Sequence, residues 1–254
     1  MHEFPILKAG GLEIDIAAFI AIIISALIVF ILARLAVRNL SVDKPSKLQN
    51  FLEWAAEFVH NIVASGMPLK QARIFISLGL TLIMFIFVGN LLGLPFGIVT
   101  DHTVPLTWFG ADILSQADID AHGGAAHLAW WKSPTADISV TAGLALVVFF
   151  LIHVLGLKMN RKHYLKHYFQ PYPFFFPLNI LENLVKPMTL AVRLYANIFA
   201  GELLISVILM MGWVGIPLLA VWQGFSIFIG AIQAFLFTIL TMVYIGQATA
   251  HEEH

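Results

Sequence analysis

The chain has 254 residues, of which 59% are hydrophobic and 11% charged, with a net charge of −1 and a mean hydropathy of +0.87. A soluble domain carries about 25% charged residues, so this composition cannot cover a water-exposed surface. The near-zero charge gives no pull toward nucleic acid, and the absence of cysteine excludes disulfides, thiolate metal sites and a cysteine nucleophile.

Residues 1–14 read as an external tail, because the following apolar run has no basic leader or small-residue cleavage site and is preceded by Glu13 and Asp15. The stretches 16–33, 74–99, 138–157 and 203–250 carry no Asp, Glu, Lys or Arg. A spanning helix needs about 20 apolar residues, so the chain reads as an all-α polytopic membrane protein. Span 1 covers 15–38. Leu48, Phe51, Leu52, Ala55, Val59, Ile62 and Val63 then fall at helical spacing, with Glu53, Glu57 and Asn61 elsewhere. That pattern predicts an amphipathic helix over 48–64, lying at the membrane interface, ended by Gly66 and Pro68.

Span 2 is expected over 72–99, a polar external loop over 100–134, and span 3 over 135–158. Residues 159–177 form a cytoplasmic and interfacial stretch whose YFQPYPFFFP segment reads as an aromatic belt. Segments 34–47 and 158–166 each hold four Lys or Arg residues, whereas the N-terminal tail holds only Lys8 and the 100–134 loop only Lys132. The positive-inside rule therefore puts the N-terminus outside.

The last third carries two unusually long helical patterns, over 178–212 and 218–248, separated by Gly212, Gly215 and Pro217. At 1.5 Å per residue they run to roughly 50 and 45 Å, against a hydrocarbon core about 30 Å thick. A steeply tilted antiparallel hairpin accommodates them. It completes five crossings plus the interfacial helix, and leaves the tail 249–254 in the cytoplasm.

A charge at mid-membrane costs about 2.5–3.5 kcal/mol and is a functional candidate by default. Glu182, Lys186, Arg193 and Glu202 share the first long helix. At about 100° per residue, Glu182, Lys186 and Asn197 fall within about 40° of Arg193, and Glu202 falls on the opposite side. Glu182 and Lys186, spaced i,i+4, can neutralise each other, and Pro187 removes a backbone hydrogen bond beside them. Arg193 stays cationic at any relevant pH and has no obvious partner in its own helix. Its anion comes from elsewhere in the bundle or from another protein, and Ala191, Ala196, Ala200 and Gly201 would let a second helix approach closely. On the final helix, Ser226 and Tyr244 lie within about 20° of Gln233. Interhelical hydrogen bonding and a hydrated proton path both fit that stripe.

No Walker A or Rossmann glycine motif is present, so the chain is not expected to bind nucleotide, act as an enzyme by itself, or need a cofactor. The segment KPMTLAVRLYANIFAGELL (Lys186 to Leu204) resembles the signature of the a subunits of F-type ATP synthases, in the spacing of Arg193, Asn197, Gly201 and Glu202. IQAFLFTILTMVYI (Ile232 to Ile245), with Gln233 and Tyr244, is similar to the family's closing helix, and GNLLGLPF and WWKSPTAD look like its bacillus-type version. The resemblance implies a stator subunit in a bacterial plasma membrane, set against a ring of c subunits and held by the b subunits of a peripheral stalk. Two offset half-channels would carry protons, the expected coupling ion. Arg193 would face the ring carboxylates. Glu202 would relay protons from outside, with Asn197, Gln233 and Ser226 along the route and Asp137 at its mouth. Glu182 would serve the exit side, and Tyr244 is grouped with the path. The sequence has Ala196 where many members have glycine, Ser226 where some have histidine, and Asn183 where some have a second acid beside Glu182. An ion-coupled secondary transporter is the rival reading. It calls for internal repeats, and no second copy of the Arg193 segment occurs.

Overall fold

Each long uncharged stretch supplies a helix in the computed structural model, which describes residues 5–9, 12–67, 69–93, 99–108, 111–114, 116–121, 124, 126–159, 161, 164, 172, 174 and 176–249. The helices are Ile16–Ala36 (α1), Lys47–Gly66 (α2), Leu69–Leu92 (α3), the short Gln116–Ala121 (α4), Ile138–Met159 (α5), Phe176–Leu209 (α6) and Gly215–Thr249 (α7). Among the described residues, five helices are long and apolar enough to cross a bilayer. The chain is an all-α polytopic membrane protein. Its core joins Phe75, Leu82 and Ile86 of α3 to Leu190 and Leu194 of α6 and Phe237 of α7.

The amphipathic helix starts where Ser46 caps it, accepting a hydrogen bond from the Gln49 amide at 3.1 Å. It does more than lie on a surface. Val59 and Val63 are fully buried, and α2 packs along α3 and α7. Two glycines permit this approach. A Cβ on Gly79 of α3 would stand 2.8 Å from Val59, and one on Gly246 of α7 would strike the backbone of Gly66. The other face of α2 leaves Phe51, Trp54 and Phe58 exposed, with the last two rings stacked at 5.8 Å.

The segment read as a polar loop contains paired strands. Val99–His102 pairs antiparallel with Ala126–Ala129, Leu106–Trp108 pairs with Ala111–Leu114, and near the N-terminus Ile6–Ala9 pairs with Leu12–Asp15. The loop has its own small core of Leu114, Ile119 and Leu128. These three residues are scattered singly among four aspartates and several glycines and alanines, so no periodic pattern marks them in the sequence.

Helices α6 and α7 form an antiparallel hairpin. Near the turn, the Trp222 indole donates to the Gly201 carbonyl at 3.2 Å; at the far end, the Lys186 ammonium lies 5.7 Å above the Tyr244 ring. The chain reverses at Gly212, whose φ of +60° favours glycine. The second helix begins at Gly215 rather than near Leu218, because Pro217 falls in its first turn, where a missing N–H removes no helical bond. Pro187 likewise lies inside a continuous α6. The expectations for YFQPYPFFFP fall largely, and those for 250–254 wholly, outside the described residues, as do Lys162 and Lys166.

Candidate functional site

Helix α6 has one side committed to the bundle. Leu190, Ala191, Leu194 and Ile198 recur at helical spacing and are buried, where α5 and α7 pack. Arg193 and Asn197 point elsewhere and are exposed, beside exposed Ala196 and Ala200. Among the described residues Arg193 makes no hydrogen bond or ion pair. A guanidinium with five donors and no acceptor thus stands on a surface of small and apolar side chains. About two to three turns toward the other end, Glu182 and Lys186 form an i,i+4 ion pair at 2.9 Å, with the Glu182 side chain 59% exposed.

Glu202 leaves α6 on a different face. One carboxylate oxygen accepts the backbone N–H of Ser133 at 2.9 Å. The residue lines a cavity of about 490 Å³ between the upper parts of α6 and α7, together with Asn90, Asn197, Ser226, Trp222 and Phe225. The Ser226 hydroxyl is buried there with no hydrogen-bond partner among the described residues. A buried hydroxyl without a protein partner, facing a space large enough for several water molecules, suits a hydrated passage. A carboxylate, an amide and a hydroxyl therefore share one cavity, and its wall includes the Asn197 turn next to Arg193.

Residues from three separate segments hold the cavity's wall on the Ser133 side. The Asn90 amide, buried at the end of α3, donates to the Gly230 carbonyl at 2.9 Å and accepts from the Thr135 hydroxyl. Ser133 donates to the Gly89 carbonyl at 3.0 Å, and the Trp131 indole donates to the Leu92 carbonyl at 2.6 Å. These last carbonyls of α3 have no partner within the helix, so the 131–135 segment caps it. Lys132 lies beside them and bridges Asp15 and Asp137. Each aspartate uses its other oxygen as a helix cap: Asp15 accepts from Ala18 at 3.0 Å at the start of α1, and Asp137 accepts from Ser139 at 2.8 Å at the start of α5. Burial opposes the charge on Lys132, but the hydrogen bonds and charges of Asp137 and Asp15 outweigh it and hold the ammonium above its ordinary value of 10.5. Burial also opposes the Asp137 carboxylate. The Lys132 hydrogen bond and charge, with the Ser139 amide, overcome it and keep the carboxyl below its ordinary 3.8.

The family profile described as "ATP synthase A chain" matches residues 19–246. The chain belongs to the ATP synthase A chain family. It is 44% identical to the ATP synthase subunit a of Anoxybacillus flavithermus over 260 residues, with 99% of each chain covered. It is also 40% identical over 268 residues to that of Bacillus subtilis and 42% identical over 264 residues to that of Staphylococcus carnosus, again with 99% of each chain covered.

The residues singled out from sequence separate into distinct groups. Glu202, Asn197 and Ser226 meet at the cavity. Gln233 is buried on α7, two turns below Ser226 and outside the cavity lining. The two α6–α7 contacts bring it level with the turn that carries Arg193 and Asn197. Asp137 does not line the cavity; it is engaged by Lys132 and by its own helix cap. Tyr244 stacks under Lys186, which ties it to Glu182. Sequence reasoning missed Asn90, Ser133, Thr135 and Asp15. Asn90 did carry a signal, as the one side-chain amide in the uncharged run 74–99. Ser133 carried none, since it acts on Glu202 through its backbone.

Proposed function

We propose that this chain works as the membrane stator of a rotary ATP synthase, passing protons along two offset half-channels to and from the carboxyl groups of a c ring. It performs no nucleotide chemistry itself; b subunits anchor it, and the assembled complex makes ATP. The observation that carries this reading is the Arg193 guanidinium, exposed on an apolar face with no protein partner among the described residues. A fixed cation there attracts each ring carboxylate and favours its ionised form. It also bars a proton from crossing directly between the half-channels. Glu202, with Asn197 and Ser226 around the same cavity, serves the outer half-channel. Gln233 continues the route toward Arg193, and Asp137 holds its rim in shape. Glu182 serves the inner half-channel, beside Lys186 and Tyr244.

The orientation follows from charge and helix direction together. α1 and α5 both begin at the Lys132 bridge, so they run the same way. Their far ends carry Arg34 and Arg38, and Lys158 and Arg161. The basic ends belong in the cytoplasm, which puts the N-terminus and the cavity rim outside. The chain contains no cysteine, so single cysteines introduced near residue 5 and at Lys158 can be labelled from each side without background.

The central test is Arg193→Ala in inverted membrane vesicles. The complex should assemble and hydrolyse ATP while ATP-driven proton pumping is lost. Normal pumping by that variant refutes the reading.

A further inference from the structure

We infer that Gly93 and the backbone N–H of Ser133 are positioning elements for the Glu202 carboxylate, acting as a fixed cradle that selects where its oxygens sit in the outer cavity. The inference rests on the reading of Glu202 as the relay of the outer half-channel, and it assigns work to two residues that contribute no titrating group.

The argument starts from the close approach of three chain segments. Ser133 is fully buried and its amide hydrogen bond to Glu202 is 2.9 Å long. Three anchors hold that amide in place: the hydroxyl bond to Gly89, the Trp131 bond to Leu92, and the Lys132 bridge to the two helix caps. A fourth link runs from Ser133 to Thr135 at 2.8 Å and on to Asn90. A segment with so many anchors cannot follow the carboxylate, so the carboxylate must come to it.

The approach requires glycine on α3 and just beyond it. A Cβ on Gly89 would lie 3.1 Å from the Pro134 ring. A Cβ on Gly93, the next residue on that face, would lie 2.9 Å from the Ser133 Cα and 3.0 Å from the Glu202 carboxylate oxygen. Any side chain at 93 therefore displaces either the donor or the acceptor of this one hydrogen bond. A fixed N–H costs no reorganisation when charge appears on its partner, unlike a hydroxyl or a water molecule that must turn.

The backbone supplies a clean deletion. Ser133 has φ −61° and ψ 131°, within the range proline adopts, so Ser133→Pro removes the N–H without straining φ. Ser133→Ala loses the hydroxyl bonds and keeps the N–H. In the purified, assembled membrane sector, the infrared carboxyl band that vanishes in Glu202→Gln identifies the residue. Ser133→Ala, which keeps the N–H and gives up the two hydroxyl links, sets the reference band and the reference conduction against which the next two variants are read. Ser133→Pro should shift the band to the frequency of a carboxyl lacking the N–H donor, and slow passive conduction about tenfold or more, the loss of one hydrogen bond to a charged group. Gly93→Ala should resemble Ser133→Pro, and it carries the test if the proline variant fails to assemble. A band in Ser133→Pro or Gly93→Ala identical to that of Ser133→Ala overturns the inference. Unchanged conduction in Glu202→Gln defeats the relay reading instead, while the bands still report whether the cradle exists.

Discussion

Replacing Lys132 by Met leaves Asp15 and Asp137 facing each other at the starts of α1 and α5 with no cation between them. Breaking a buried ion pair by removing one partner costs about 3–5 kcal/mol. Here the two carboxylate side chains are 18% and 16% exposed, and each keeps a helix-cap hydrogen bond worth about 1 kcal/mol. The loss should therefore lie at the lower end, about 3 kcal/mol. It should be local, concentrated in the first turns of α1 and α5. At about 1.4 kcal/mol per factor of ten, the amides of Ser139 and Thr141 should exchange hydrogen roughly a hundredfold faster in the intact membrane sector. The pH dependence has a definite sign. Asp137 has a folded value below 3.8, so its contribution is complete above that pH and fades as pH falls through the lower folded value. Lys132 has a folded value above 10.5, so its share is complete below that pH and is lost only as pH rises beyond it. The difference between parent and Lys132→Met should be flat across neutral pH and close in strong acid. Unchanged exchange refutes the clamp. So does an equally large effect of Lys132→Met after both aspartates have been changed to Asn.

Asn90→Leu removes the second hydrogen bond of the Gly230 carbonyl and leaves the Thr135 hydroxyl only Ser133, and should destabilise the bundle by about 2 kcal/mol, read as a lower melting temperature of the detergent-solubilised sector. Gly212→Ala forces a side chain onto a φ of +60° and should cost about 1 kcal/mol, on the same melting curve, with proton conduction retained. Ser226→Ala removes a hydroxyl that has no partner among the described residues, so the melting temperature should hold. Ser226→Leu fills part of the cavity and should cut passive proton conduction to a small fraction. Glu182→Gln disturbs a pair whose acid is 59% exposed and should change stability by no more than about 0.5 kcal/mol, so any larger defect in proton exit reflects transport.

The helices were legible because hydrophobicity and charge act locally. Arg193, Asn197 and the Glu182–Lys186 pair lie on one side of α6, and Glu202 leaves on another, as helical geometry requires. What escaped the sequence is what depends on meetings between distant segments. The Ser133 amide reaches Glu202 across 69 positions, and Asn90 reaches Gly230 across 140; nothing in either local pattern announces its partner. Val59 and Val63 were visible as one face of an amphipathic helix. Whether that face met lipid or protein depended on Gly79 and Gly246, whose missing side chains gain meaning only once the helices touch. Asp137 was read as the mouth of the proton route, yet its carboxylate is engaged by Lys132 and by the start of α5.

The exposed Arg193 also bears on how such a chain is made. A lone copy newly inserted in a bilayer offers lipid a guanidinium costing about 2.5–3.5 kcal/mol, on a face where none of the described residues neutralises it. Association with a partner bearing acidic groups removes that cost. The residue that serves the assembled machine thus also marks the unassembled copy as incomplete, and its lifetime in the membrane should lengthen when the ring is present.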